Sequence, residues 1–340
     1  MIEARCGDAF DSAGFVSRHR TGYPPPPKSI HMNTATTPYP IGTPGTAWNE
    51  AELAQWSRQQ LVRRSYADDV LTVIEQLAER FDRLEYGRLD VDPVRYPLQA
   101  LRSRNWDDAQ PIMLVTGGVH GYETSGVLGA LRFLDDAAEA YADQVNLLVA
   151  PCVSPWGYER IQRWNHAAVD PNRSFRASSP SQEAAALWAL VQPLRSRIVM
   201  HIDLHETTDT DETEFRPALA ARDGKPFEPG EIPDGFYLVD DTERPQPDFH
   251  NAVIRAVSTV THIAEADAQG EIIGSPVVAP GVIRYPLGEL HLCAGMTDAP
   301  YRTTTEVYPD SPRTDAENCI AAQVAAVTAA IDFALEHSPG

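Results

Sequence analysis

Three short runs in this chain have little room for water on either face: Ile112-Met113-Leu114-Val115-Thr116, Val145 to Val153, and Arg197 to Leu204. A strand wetted on one side alternates apolar and polar residues, whereas a largely continuous apolar run belongs to a sheet covered on both sides. Between and after these runs the spacing turns helical. Glu123 to Tyr141 places Val127, Leu128, Leu131 and Leu134 on one face, Gln182 to Leu194 forms a second helix, and Phe249 to Val260 a third. Strands alternating with helices predict an α/β fold: a single domain whose mostly parallel mixed sheet carries helices on both faces.

The flanking segments complete this outline. Leu53 and Trp56, then Val70, Ile74, Leu77 and Phe81, predict two helices between Trp48 and Phe81 with a break near Ser65. Leu84 to Arg104 reads as a strand pair at the sheet edge, and Gly235 to Val239 and Tyr301 to Tyr308 as further strands. The last element is a helix, with Thr314 and Glu317 in a capping-box pattern and a stripe of Ile320, Val324, Val327, Ile331 and Leu335. Residues 1–47 differ in composition. Tyr23-Pro24-Pro25-Pro26-Pro27 and the following TTPYPIGTPG favour polyproline II and turns. The expected organisation is a proline-rich N-terminal arm over 1–47, lying on the surface of a catalytic domain over 48–340.

Charge narrows the partners. Lysine and arginine number 28 against 48 aspartates and glutamates, a net charge of −20. With no clustered basic run, neither a phosphate backbone nor an anionic membrane surface is an expected partner. No apolar stretch of membrane-spanning length stands out, and the N-terminus lacks the apolar core of a secretion signal, so a cytoplasmic location is expected. The four cysteines (Cys6, Cys152, Cys293, Cys319) form no CxxC pair and are expected to be reduced, mostly buried thiols.

In open parallel sheets, sites form beyond the carboxyl ends of the strands. Past the first buried strand come Gly117-Gly118-Val119-His120-Gly121, then Glu123; past the third comes His205, within Asp203-Leu204-His205-Glu206; Glu306 lies late in the last strand. Two imidazoles and a carboxylate brought to one rim supply the ligand set of a catalytic zinc site, with a fourth position left for water. Glycines at 117, 118 and 121 would let the backbone turn tightly there. HxxE alone is weak evidence, since any helix can carry it and His120 could be a hydrogen-bonded core histidine. His201 competes with His205 from the same face of the same strand. His205 is preferred because it stands at the strand end.

The segment between these residues adds specificity. Arg163-Trp164-Asn165, continuing to Val169-Asp170-Pro171-Asn172-Arg173-Ser174-Phe175, resembles the RxN…VDxNRxF signature of the zinc metallocarboxypeptidases, the carboxypeptidase A-like family with its short bacterial peptide amidase-type members. Ser154-Pro155-Trp156-Gly157 resembles that family's N-P-x-G turn, Gly117 to Glu123 its GxHxxE loop, Asp203-Leu204-His205 its DxH strand, and Thr305-Glu306 its catalytic strand. The pieces occur in the family's order from about Pro111 to the C-terminus.

The resemblance implies roles. His120, Glu123 and His205 would bind one Zn2+ ion. Glu306 would be the general base and proton shuttle, and Arg163 would polarise the scissile carbonyl. Asn172 and Arg173 would grip the substrate's carboxylate, and Asp170 would orient His120. These roles fit the residue types: a carboxylate can pass a proton from water to a leaving amine, and a guanidinium stabilises an oxyanion. The family's mobile tyrosine matches Tyr285 or Tyr301, of which Tyr285 is carried as substrate-binding. Pro171 departs from the family pattern without removing a ligand. The acidic run Asp209, Asp211, Glu212 and Glu214 reads as a solvated loop rather than a second metal site, and Arg216 as a surface salt bridge in preference to a residue selecting an acidic side chain.

The implied activity is a zinc-dependent peptidase or peptide amidase acting beside a free carboxylate, with a small peptide or N-acyl amino acid as substrate. The alternative is an N-acyl amino acid deacylase of the aspartoacylase/succinylglutamate desuccinylase type. Those enzymes usually carry a β-rich domain after the catalytic glutamate, whereas here little but one helix follows Glu306. A non-catalytic binding protein on the same fold is the third reading, and it would be signalled by a missing ligand or base.

Overall fold

A computed structural model describes residues 39–337; the Tyr23–Pro27 stretch, Cys6 and most of the expected 1–47 arm lie outside the described residues. The chain begins with α1 (Glu50–Gln59), capped by Asn49, whose side chain accepts from Ala51 N and Glu52 N while Glu52 returns a bond to Asn49 N. A π-helical turn at Ala67–Leu71 leads into α2 (Thr72–Leu77). There follow β1 (Phe81–Arg88), β2 (Pro97–Ser103), β3 (Ile112–Gly117), α3 (Thr124–Asp136), β4 (Asn146–Ala150), α4 (Pro155–Arg160), α5 (Gln182–Val191) and β5 (Ile198–Glu206). The second half holds α6 (Arg216–Arg222), β6 (Tyr237–Asp241), α7 (Pro247–Val257), the short pair β7 (Glu271–Ile272) and β8 (Ser275–Pro276), then β9 (Val282–Tyr285), β10 (Tyr301–Val307) and α8 (Ala316–His337).

Eight strands form one sheet in the order β1-β2-β4-β3-β5-β10-β6-β9. The central four, β4-β3-β5-β10, run parallel, while β2 joins β4 and β6 joins β10 in antiparallel fashion. Alternation along the buried strands feeds two cores. Met113, Val115, Met200, Ile202 and Leu204 face the helices α3, α7 and α8. Ile112, Leu114 and Ile198 face α5 through Ala184, Leu187 and Val191. From β3 the chain passes through α3 to β4 on one side, then crosses back to β5 on the other. The reversal opens a crevice between the carboxyl ends of β3 and β5, where an open α/β sheet binds ligands.

Some expectations shift. Phe81 does not extend the second helix; the helix ends at Leu77 and Phe81 opens β1. Thr314 does not cap α8. Asp315 does, accepting from Asn318 N at 2.8 Å, while the Thr314 hydroxyl bonds the carbonyls of Tyr308 and Ser311. By length and composition α8 is apolar enough to cross a membrane, which the sequence reading overlooked; here half of its most apolar window is buried against its own fold, as in a core helix. Within the part of the arm that is described, Ile41 is buried and its carbonyl accepts from Trp48 Nε1.

Candidate active site

The turn after β3 carries two of the expected ligands. Gly118 sits at φ +60°, a conformation glycine adopts without strain. Gly121 packs so closely on the Gly157–Tyr158 backbone that a Cβ would overlap it. Arg64, from the linker between α1 and α2, braces this turn. Its guanidinium donates to Gly121 O (2.5 Å), Thr124 Oγ1 (2.7 Å) and Tyr158 O (2.6 Å). The N-terminus of α3 is held by Glu206, whose carboxylate accepts from Thr124 N (3.1 Å) and Ser125 N (2.6 Å), a favourable placement against the helix dipole.

His120, Glu123 and His205 converge. One ligand atom from each lies within 4.8 Å of the other two, and all three residues are buried. His120 Nδ1 is 2.8 Å from Glu123 Oε1, and His205 Nδ1 is 2.7 Å from Glu123 Oε2. The second contact does not have hydrogen-bond geometry, so Glu123 Oε2 is a buried oxygen without a hydrogen-bond partner. A nitrogen and an oxygen that crowd together without aiming at one another suit a shared cation, and two imidazoles with one carboxylate are a zinc donor set. Zinc therefore fits the residues present.

The far nitrogens of both imidazoles meet carboxylates. His120 Nε2 lies 3.0 Å from Asp170 Oδ1, and His205 Nε2 lies 2.6 Å from Asp203 Oδ2. Such partners hold the tautomer that leaves Nδ1 free to ligate. Asp203 was missed as an orienting group, although its i, i+2 spacing from His205 in a strand signals a shared face. Its other oxygen accepts from Thr116 Oγ1 at 2.6 Å, and Thr116 also lies 3.2 Å from His201 Nε2. His201 is thus packed beneath the site, away from the three-residue cluster.

Electrostatics follow from this crowding. Burial alone would raise Glu123, but the charges of His205 and His120 outweigh it and hold the carboxyl down at about 2. Burial would lower His205, yet Asp203 and Glu123 push it well above the usual imidazole range. Asp170 is held well below its usual range: burial opposes this, and Arg163 and His120 win. Glu306 goes the other way. Burial pushes it up to about 8, helped by the like charge of Glu123 and opposed by His205 and the Thr207 hydroxyl. In the register of β5 and β10, Glu306 stands beside His205, and Thr207 Oγ1 donates to its Oε2 at 2.9 Å.

A cleft of about 790 Å³ opens over these groups, lined by Arg163, Asp170, Arg173, Tyr285 and Glu306 among others. Arg163 is clamped there. It donates to Asp170 Oδ2 (3.2 Å) and Asp211 Oδ1 (3.3 Å), with Tyr122 OH at 3.4 Å. Asp211 is accordingly buried rather than part of a solvated acidic loop, and it also accepts from Tyr122 OH and Thr208 N. The π-helical turn Asp211–Phe215 presents it, an irregularity without a sequence signal. Arg173 is exposed to the cleft and has no carboxylate within ion-pair distance among the described residues. Asn172 does not line the cleft: its amide accepts from Cys293 N (2.8 Å) and lies 3.4 Å from His205 Nε2. Tyr285 lines the cleft, whereas Tyr301 packs far off against Phe249 and Phe333. Arg216 both lines the cleft and pairs with Glu212. Tyr237, unexpected from the sequence, joins the wall with its hydroxyl 2.8 Å from Thr207 Oγ1.

Residues 109–224 match the family model of the succinylglutamate desuccinylase/aspartoacylase catalytic domain. Solved structures share the zinc carboxypeptidase-like fold. A candidate metallopeptidase from Shewanella amazonensis SB2B is 20% identical, with 81% of this chain and 98% of that one aligned at a TM-score of 0.61. Carboxypeptidase A from Helicoverpa armigera is 15% identical over 81% of this chain and 74% of its own, with a TM-score of 0.55. A metallo-carboxypeptidase from Pseudomonas aeruginosa, solved with (2-guanidinoethylmercapto)succinic acid, is 16% identical over 79% and 69%, at 0.52. No curated protein matches the chain.

Proposed function

We propose that this chain is a zinc-dependent hydrolase that cleaves a peptide or amide bond next to a free carboxylate. The observation that carries the reading is the convergence of His120 Nδ1, Glu123 and His205 Nδ1, with Glu123 Oε2 buried and lacking a hydrogen bond beside His205. When bound, a zinc ion would lower the pKa of water toward ~7 and favour the ionised form of Glu306.

The chain's own residues would do the rest. His120 and His205 hold their ligating tautomers through Asp170 and Asp203. Glu306 takes a proton as the water oxygen bonds to the carbonyl carbon, then delivers it to the leaving nitrogen as the C–N bond breaks. Arg163, fixed between Asp170 and Asp211, meets the developing oxyanion. Arg173, free of carboxylate partners and facing the cleft, binds the substrate carboxylate, with Tyr285 alongside.

Two substrate classes suit this machinery. A peptide cleaved at its C-terminal residue is the first. An N-acyl amino acid is the second, and the family match over residues 109–224 favours it. The test is a screen of peptides and N-acyl amino acids against the zinc-loaded protein and Glu306→Gln. The variant should retain zinc and lose about a hundredfold or more in turnover. Near-normal rates in that variant would remove Glu306 from its role, and zinc bound without turnover of any compound would favour a binding protein.

A further inference from the structure

The cleft has two chemically different ends. Arg173, Tyr285 and Glu306 make one end polar. The other carries the apolar side chains beside the ligand cluster, together with Arg216 and Arg222, whose guanidiniums are held in ion pairs with Glu212 and Asp223. The Tyr122 ring stacks beside His120 (centroids 6.1 Å, 18° between planes), and Phe215 packs on Tyr122 at 4.6 Å. Leu219 lies one turn further along and is 39% exposed, a large apolar side chain left in water although it lines the cleft. Trp48 and Leu53, at the start of the described chain, close this side. Trp48 is tied to it by its N–H bond to Arg222 O at 2.9 Å and by edge contact with Trp164.

We infer that this wall receives the acyl side of the substrate, so that the preferred substrate carries a bulky apolar group on the carbonyl side of the scissile bond. The inference rests on the hydrolase reading above and names its substrate class: an amino acid N-acylated by a medium-chain or aromatic acid, rather than by a small or dicarboxylic one. Three features argue for it. The wall begins at a metal-ligand residue, so a group bonded to the reacting carbonyl reaches it without crossing the cleft. The cation Arg173, without a carboxylate partner and grouped with Tyr285 and Glu306, suits the carboxylate of the leaving amino acid. Asp211 is already occupied by Arg163, Tyr122 and Thr208, and Glu212 by Arg216, so neither leaves an unpaired charge at this surface. A second carboxylate on the acyl chain would be desolvated against Phe215 and Leu219 and would reach Arg216 or Arg222 only by breaking the ion pairs with Glu212 and Asp223.

The experiment is an acyl series on one amino acid (acetyl, butanoyl, succinyl, hexanoyl, octanoyl) with the full-length zinc-loaded protein. Transfer of each methylene onto an apolar wall should raise kcat/KM by roughly fourfold, and succinyl should fall below butanoyl. Leu219→Asp should cut the octanoyl-to-acetyl ratio at least tenfold. Leu219→Ser, at the same exposed position, repeats the test should the aspartate variant fail to fold. A flat series, or a preference for acetyl or succinyl, overturns the inference and leaves the hydrolase reading standing. Should no compound be cleaved, the hydrolase reading falls, and binding decides the inference through Trp48 and Trp164 fluorescence. Octanoyl amino acid should then perturb the emission at a concentration at least tenfold lower than the acetyl compound. Equal concentrations would overturn it.

Discussion

Asp203→Asn is the most direct probe of how this site is held. Asp203 is completely buried, with one oxygen 2.6 Å from His205 Nε2 and the other accepting from Thr116 Oγ1 at 2.6 Å. The carboxylate can only accept, so when Nδ1, the atom facing Glu123, gives up its proton to a metal, His205 keeps the other on Nε2. An asparagine that keeps the Thr116 bond must present its NH2 to Nε2. The proton then moves to Nδ1 and blocks the ligand atom. The alternative orientation keeps the tautomer but turns an amide donor toward Thr116, whose hydroxyl must swing to His201 Nε2, 3.2 Å away. Loss of such a partner costs about 10–100-fold in metal affinity, or ~1.4–2.7 kcal/mol. Zinc affinity is read by competition with a chromophoric chelator, and circular dichroism confirms that the variant is folded. A folded variant that holds zinc within twofold of the parent would refute the tautomer argument.

Further outcomes follow from other contacts. Arg173→Ala should raise KM about tenfold or more for carboxylate-bearing substrates with a smaller change in kcat, because a charge-assisted contact made in both ground and transition states is lost; unchanged steady-state kinetics would count against its role. Gly121→Ala should lower the stability of the fold by ~1–3 kcal/mol, since the new methyl group overlaps the Gly157–Tyr158 backbone, and a melting temperature equal to the parent's would contradict that packing. Glu206 is pushed up to about 7 by burial, above its unfolded value of 4.5. Between those values the folded state holds a proton at Glu206 that the unfolded state has lost, so the contribution of Glu206 to the stability of the metal-free protein should fall by ~3 kcal/mol as pH rises from about 4.5 through 7. Glu206→Gln should flatten that slope in urea titrations, and an unaltered slope would assign the pH dependence elsewhere.

Much of this protein was legible in its residues alone. The runs at 112–116, 145–153 and 197–204 announced buried strands because a parallel sheet covered on both faces leaves no room for polar alternation. Their ends then located His120, Glu123 and His205. Local rules reached this far because a ligand at a strand terminus is positioned by its own short segment. Even Asp203 was readable, two residues from His205.

What lay beyond the sequence depended on neighbours distant in the chain. Asp211 looked like a solvated acid until the π-turn and the Tyr122 and Arg163 contacts buried it. Asn172 seemed to face substrate, but Cys293, more than a hundred residues away, takes up its amide. Tyr285 and Tyr301 were equivalent by spacing, and only the short strand β9, flanked by Gly281 and Pro286 and too brief for periodicity to show, brings the former to the cleft. The apolar wall assembles from α6, Tyr122 and Trp48, three segments whose separate patterns carry no mark of their meeting. Periodicity records which face of an element avoids water, but not which other element covers that face, and this second choice shaped the cleft.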